Sequence, residues 1–262
     1  MPFAPATPFP TADSPSLAST VQPPAMLLAA GRGERMRPLT DHCPKPLLAV
    51  QGQPLLQWHL QALARAGVPR AVINTAWLGA QIPQRLGAAF DGLPLTYSHE
   101  DPSGQGQPLE TAGGIARALP QLGAVFWLAA GDVFAPDFTF DAAAAAAFAA
   151  SDQLAHLWLV ANPAHHPQGD FGLSDQGLAL DLPEGDPRPR WTYSTIALLR
   201  AELFAPPWCD ISAGNPLGER AALGPLLRRA MAAGRVGASR YTGRWTDVGT
   251  PERLRALNQP MV

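Results

Sequence analysis

The sequence predicts an α/β domain with a mostly parallel central sheet and helices on both faces. Three observations point there. From residue 25 onward, short apolar runs alternate with stretches of helical spacing, the pattern of repeated strand–helix units. Several of these runs are apolar throughout rather than alternating, as strands covered on both faces must be. The chain has 262 residues and is 47% hydrophobic, enough for one sizeable core, so a single domain is expected.

The chain opens with residues 1–22, rich in Pro, Ala, Ser and Thr and without a basic residue. They lack the charged start and apolar core of a secretory signal and read as a disordered extension ahead of a domain at 23–262. Residues 25–30 (AMLLAA) read as a buried strand, broken by a glycine-containing loop at 31–40. Residues 54–67 have helical spacing and stop at Gly67, a natural C-cap. A strand follows at 70–76, then a short helix within 80–90, where Pro83 limits the first turn. Residues 93–100 read as the next strand and 111–122 as a helix begun near glycines. The apolar run 124–132 ends in Gly131-Asp132, as a buried strand should, and 141–151 is a helix with Asp141 as its N-cap. Residues 153–162 and 190–200 read as strands, with a turn-rich stretch between them that has room for a hairpin. A helix at 223–234, a strand at 235–243 and a closing helix capped by Thr250 complete the chain. In an open sheet of this kind, ligands bind at the carboxyl ends of the strands.

Composition excludes several classes. A net charge of −2 offers no global field for nucleic acid. The longest strongly apolar stretch, residues 142–150, is too short to span a bilayer. Cys43 and Cys209 make no ligand pair; two free thiols in a reducing cytoplasm is the favoured reading, with one disulfide left open. Among 19 basic residues the only lysine is Lys45, between Pro44 and Pro46. Either a compact ammonium is wanted there or it survives by chance, and composition does not choose.

The strongest local signal is the loop after the first strand. Gly31 and Gly33 permit close approach of backbone amides to phosphate, and Arg32, Arg35 and Arg37 add positive charge. A dinucleotide fingerprint fails, because Met36 stands at its third glycine. A Walker A loop fails too, because no glycine precedes Lys45.

The segments LAAGRGERMRPLT (28–40), PKPL (44–47), PLETAGG (108–114), AAGD (129–132) and RWTDVGT (244–250) together resemble the sugar-1-phosphate nucleotidyltransferase family. The resemblance runs from about Ala25 to Leu257 and implies a Rossmann-like nucleotidyltransferase fold. It implies Arg35 and Lys45 as catalytic residues on the triphosphate and on the α-phosphate or incoming sugar phosphate. Asp132 and Asp247 become ligands of Mg2+. Ala29, Ala30, Gly31, Gly33, Asn74, Glu110 and Gly113 become nucleotide contacts. A hard cation held by one or two carboxylates plus phosphates is what magnesium prefers. In such a reaction an already anionic sugar phosphate needs neither a general base nor a protein nucleophile.

Within the family, NPAHHPQGDF (162–171) resembles the short members that join UTP to N-acetylmuramate 1-phosphate in peptidoglycan recycling. That resemblance implies Asn162, Asp170 and Thr195 on the sugar side, with turn capping an equal alternative for Asp170 and with Thr195 standing where relatives often place glycine. The adjacent His165 and His166 point apart and have no third ligand in the sequence nearby, so a metal site there is disfavoured. A mannose- or glucose-1-phosphate nucleotidyltransferase and a non-catalytic nucleotide-sugar-binding homologue remain alternatives. A glycosyltransferase is disfavoured because no Asp-x-Asp triplet occurs.

Overall fold

A computed structural model of the chain describes residues 22–100 and 108–259. At its centre lies the strand Ala25–Leu28, paired in parallel with Ala71–Thr75 on one side and Val125–Ala130 on the other. Leu93–His99 continues the parallel sheet beyond Ala71–Thr75. The long strand Arg190–Arg200 joins Val125–Ala130 in antiparallel sense, and Ala155–Val160 pairs with its other edge. Val236–Arg240 closes that side in parallel with Ala155–Val160, and the expected hairpin forms from Phe171–Leu173 and Ala179–Leu180. The sheet is therefore mixed, with its parallel heart in the first half of the chain.

Alternation along each central strand feeds two cores. Met26, Val72, Phe126, Leu128, Ala197 and Leu199 face one side. Ala25, Leu27, Ile73, Trp127, Ala129, Ile196 and Leu198 face the other. The first core is covered by helices Glu110–Ala118 and Leu223–Ala232 through Ile115, Leu226 and Leu227. The second is covered by helices Leu55–Arg65, Gln81–Leu86 and Ala142–Ala150 through Leu56, Leu60, Ile82 and Phe148. A strand buried on both faces must be apolar at every position, which is why the runs lacked alternation. The caps fall where the residue types require. Asp141 accepts from the Ala143 N–H, Thr250 accepts from Arg253, and Gly67 turns left-handed (φ 68°) after the helix ends.

The chain lays strands outward from Ala25–Leu28 to Leu93–His99, then returns to place Val125–Ala130 on the opposite side. The connections leaving Leu28 and Ala130 thus part in opposite directions. A crevice opens between them, the position at which open α/β sheets bind ligands.

Two details depart from the sequence reading. Gln22, expected to end the extension, is buried: its Nε2 donates to Phe140 O at 2.7 Å and its Oε1 accepts from Trp127 Nε1 at 3.1 Å. The folded domain therefore includes Gln22, because a long-range pair of hydrogen bonds outweighs the polar local composition. The rest of the proposed extension lies outside the described residues. The second detail is a third, smaller core of Met36, Leu48, Val50, Leu55, Phe134, Val248 and Leu254, which joins three distant stretches of chain. No helix among the described residues is long and apolar enough to cross a membrane.

Candidate active site

Two adjoining cavities occupy the crevice. The larger, about 370 Å3, is walled by residues 28–31 together with Lys45, Asn74, Glu100, Glu110, Asp132 and Thr195. The smaller, about 330 Å3, lies between Gly31, Gly33, Arg35, Lys45, Asp132 and Gly249. Gly31, Lys45 and Asp132 border both, so the two chambers meet at these residues.

The loop after Leu28 is held by its own side chains. Gly33 takes a left-handed φ of 65°, and a Cβ there would lie 3.1 Å from Thr40 Cγ2. The buried Thr40 donates from Oγ1 to Gly33 O at 2.9 Å, and Met36 pegs the loop into the third core. Sequence reading gave all three loop arginines to ligand charge; the structure separates them. The Arg32 guanidinium lies 3.7 Å over the Trp77 ring and donates to Thr40 O and Asp41. Arg37 pairs with Asp41 at 2.9 Å. Both arginines are spent bracing the loop, and the hydrogen bond from Arg32, with the charge of Arg37, holds the Asp41 carboxyl below its usual range. Arg35 remains exposed on the cavity wall, with no ion pair among the described residues.

Lys45 opens a short 3₁₀ turn, Lys45–Leu47, and is 8% exposed. Its Nζ donates to Asp132 Oδ2 at 2.6 Å, while the Asp132 side chain stays 41% exposed towards the cavities. Asp247 reaches the same end of the sheet through a ladder only two residues long. Thr246–Asp247 pairs with Val133–Phe134, and the Val248 N–H donates to Asp132 O at 2.9 Å. The two aspartates, far apart in sequence, thus become neighbours. Asp247 Oδ2 accepts from Arg253 Nη1. The same guanidinium nitrogen lies 2.9 Å from His165 Nε2. The ring nitrogen also lies 2.9 Å from Asp247 Oδ1, so His165, Arg253 and Asp247 form one cluster. Asp247 Oδ1 is itself buried against that imidazole.

Also on the larger cavity's wall, Asn74 lies at a strand end, buried, with both ends of its amide engaged. Its Oδ1 accepts from the Ala29 N–H at 2.7 Å, and its Nδ2 donates to Glu100 Oε1 at 2.5 Å. Glu100 Oε2 in turn accepts from the Leu109 N–H at 2.7 Å. Glu100 was missed by the sequence reading; the signal available was an acid closing the strand read at 93–100. Burial pushes its carboxyl up from the ordinary value, only partly offset by these hydrogen bonds. Glu110 lines the larger cavity from a left-handed backbone (φ 60°) and pairs with Arg220 at 3.3 Å.

Three expected contacts fall elsewhere. Gly113 is buried away from both cavities. A Cβ there would lie 2.5 Å from Glu219 O, so its glycine is required by helix–loop packing. Asn162 lines neither cavity: its Nδ2 donates to Pro167 O and Arg190 O, and its Oδ1 accepts from Thr192 Oγ1. Asp170 accepts from the Tyr193 N–H at 2.8 Å and faces His166 Nε2 at 3.1 Å, which makes it a brace of the 162–170 loop. Polar groups at turns satisfy local backbone first, and that demand took both side chains. Thr195, in contrast, does line the larger cavity. It sits at a β-bulge with φ 63°, a conformation that glycine adopts freely and a β-branched residue rarely does.

Comparison with known proteins agrees with this geometry. The family described as Nucleotidyl transferase matches residues 24–261. The chain is 46% identical over 240 residues to the N-acetylmuramate alpha-1-phosphate uridylyltransferase of Neisseria meningitidis serogroup B, covering 88% of this chain and 95% of that one. It is 33% identical over 242 residues to the protein of the same name from Caulobacter vibrioides, covering 87% and 92%. Its fold matches that of a Bacillus anthracis protein provisionally assigned as a glucose-1-phosphate thymidylyltransferase, at a TM-score of 0.72, 19% identity, and coverage of 89% and 93%. The chain belongs to the nucleotidyl transferase family.

Proposed function

We propose that the protein transfers UMP from UTP to N-acetylmuramate 1-phosphate, releasing pyrophosphate. The observation that carries the reading is the pair of cavities meeting at Gly31, Lys45 and Asp132. The larger chamber suits a nucleoside and sugar, the smaller a polyphosphate tail beside Arg35. A phosphate oxygen of the sugar phosphate attacks the α-phosphorus of UTP in line. That forms one P–O bond and breaks the bond to the β-phosphate, so pyrophosphate leaves with the electron pair. Such a transfer requires positioning and charge neutralisation above all.

Each side chain then has a task. The backbone of Ala29, Ala30 and Gly31 approaches phosphate from the strand end, where a Cβ on Gly31 would meet nothing within 4 Å. Lys45, compact and desolvated, neutralises the α-phosphate, and Arg35 holds the departing pyrophosphate. Glu110 lies on the base side and Thr195 on the sugar side, supported by their places on the wall of the larger cavity. The specific pairing of UTP with N-acetylmuramate 1-phosphate rests on similarity to the two uridylyltransferases across nearly their whole length.

Asp132 and Asp247 fit a divalent cation, and Mg2+ is the proposed one. The support is chemical: a partly buried carboxylate on a residue cross-strand to the turn that carries a second, accessible carboxylate. Two carboxylates leave room for phosphate oxygens and water, the donor set magnesium favours. When bound, the cation supplies positive charge to the phosphates. Incubating the protein with a panel of nucleoside triphosphates and sugar 1-phosphates, and following pyrophosphate release, tests the reading. Turnover greatest with UTP and N-acetylmuramate 1-phosphate is expected. Preference for mannose or glucose 1-phosphate would move the substrate assignment, and no pyrophosphate with any pair would refute the activity.

A further inference from the structure

Glu100 presents an unusual demand. It is 4% exposed, and no cation lies within ion-pair distance among the described residues. A buried carboxylate of this kind opposes folding unless hydrogen bonds compensate it, and an apolar residue of similar volume would serve stability better. The surroundings are nevertheless built around it. A Cβ on Gly114 would lie 2.1 Å from Glu100 Oε1, so the helix start is pared to glycine where the carboxylate passes.

The hydrogen-bond polarity shows what the carboxylate does. The Ala29 N–H can only donate, so it fixes the Asn74 amide with Oδ1 towards Ala29 and Nδ2 towards Glu100. The Leu109 N–H also can only donate, and it meets the other Glu100 oxygen. Both oxygens at position 100 must therefore accept, and an ionised carboxylate is the side chain that accepts at both ends. The result is one continuous relay, Ala29–Asn74–Glu100–Leu109, between the strand-end loop and the segment preceding the helix Glu110–Ala118. Both its ends reach the larger cavity's wall: Ala29 lines it at one end, and Pro108, Glu110 and Thr111 line it around Leu109 at the other.

We propose that Glu100 is a positioning residue that, through Asn74, locks the phosphate-side loop to the base-side segment, so that both ends of the nucleotide meet a preformed site. The proposal rests on the nucleotidyltransferase reading above. It does not depend on which sugar is used, because the relay addresses the triphosphate substrate alone. A rigidly spaced site reduces the ordering that binding must otherwise supply.

The polarity argument gives a direct test in the full-length protein. In Glu100→Gln, one amide NH2 must face either Asn74 Nδ2 or the Leu109 N–H, donor against donor. In Asn74→Asp, two carboxylates face each other across the same bond. The double variant, carrying both substitutions, closes the relay again with its charge moved. The new carboxylate at position 74 accepts from Ala29 and from the new amide at position 100, whose oxygen accepts from Leu109. UTP binding by calorimetry, without sugar phosphate, should weaken roughly tenfold in each single variant, the scale of one unsatisfied buried group. The double variant should recover to within about threefold of the parent. Steady-state kinetics should show the KM for UTP rising in the single variants more than the KM for the sugar phosphate. Gly114→Ala, which displaces the carboxylate without altering any donor, should reproduce the UTP-selective loss. If Glu100→Gln does not fold, the double variant decides alone: folded and binding UTP supports the relay, folded without binding UTP overturns it. Single variants that lose melting temperature yet bind UTP normally would overturn the proposal, as would a double variant no better than the singles. Wild-type protein that binds UTP but releases no pyrophosphate would instead count against the proposed activity and leave the relay standing.

Discussion

Lys45 Nζ lies 2.6 Å from Asp132 Oδ2, so a pair 87 positions apart in sequence forms the partition between two cavities. The lysine is nearly buried and the aspartate partly open, an asymmetry that keeps the ammonium desolvated while leaving its partner accessible. Charge so placed interacts with an entering phosphate more strongly than a charge in water does.

Replacing Lys45 with Ala or Arg is therefore expected to lower turnover by about two decades or more, the scale of losing one oriented donor. Arg is expected to fail because a wider planar fork replaces a compact, nearly buried ammonium held 2.6 Å from Asp132. Single-turnover pyrophosphate release measures this. Near-normal turnover in Lys45→Ala would remove the residue from the mechanism.

Asp132→Asn and Asp247→Asn should each cut turnover severely and raise the magnesium concentration needed for half-maximal activity. Folding should survive, because Asp132 is partly exposed and Asp247 keeps an amide oxygen towards Arg253. A magnesium titration of each variant, with a thermal melt as control, separates this from a structural role. Full activity of the wild-type protein in excess chelator would refute the assignment.

Thr195→Gly should leave stability nearly unchanged while altering sugar selection. Relief of a left-handed threonine gains about 1–2 kcal/mol, and the flexibility of glycine offsets about 0.5–1 of it. The threonine also loses its 2.6 Å hydrogen bond from Oγ1 to Ser194 O. What changes is the cavity wall. The ratio of kcat/KM between N-acetylmuramate 1-phosphate and a smaller sugar phosphate should shift by roughly tenfold, as one methyl-sized change does. An unchanged ratio would show that Thr195 does not face the sugar.

His59 provides a pH-dependent prediction. It is 1% exposed in the helix Leu55–Arg65, with Nε2 2.9 Å from Val133 O. Burial pushes its pKa below the ordinary 6.5, so the fold prefers the neutral ring. A group with a lowered cationic pKa contributes stability above its unfolded value, and that stability is lost as pH falls through 6.5 towards the folded value. The melting temperature should drop between about pH 7 and pH 5. The drop should be smaller in His59→Gln, whose amide still donates to Val133. Equal slopes in the two proteins would refute the account.

Much of the site was legible because its chemistry sits in contiguous segments. Residues 28–40 stood out as a loop rich in glycine and arginine, and Lys45 as the single lysine. Arg35, Lys45, Asn74, Glu110, Asp132 and Thr195 indeed border the cavities. Glu100 was not legible, since an acid after a strand announces nothing until its two donors are known. The places of Asn162 and Asp170 were not legible either: their residue types suit sugar binding and turns alike, and nearby backbone groups take their hydrogen bonds.

By itself the sequence determined the α/β class, the order of elements and the loop that lines the two cavities. Those depend on periodicity, caps and glycines, which act over a few residues. The tertiary structure alone decided which arginine faces the cavity and how Asp247 reaches Asp132. Arg32 and Arg37 were taken by Trp77 and Asp41. The two aspartates met through a ladder only two residues long, secured by Val248 and Phe134 in the small third core. Such a contact leaves no local pattern, because its stability comes from apolar side chains that are distant in sequence and meet only when the chain folds.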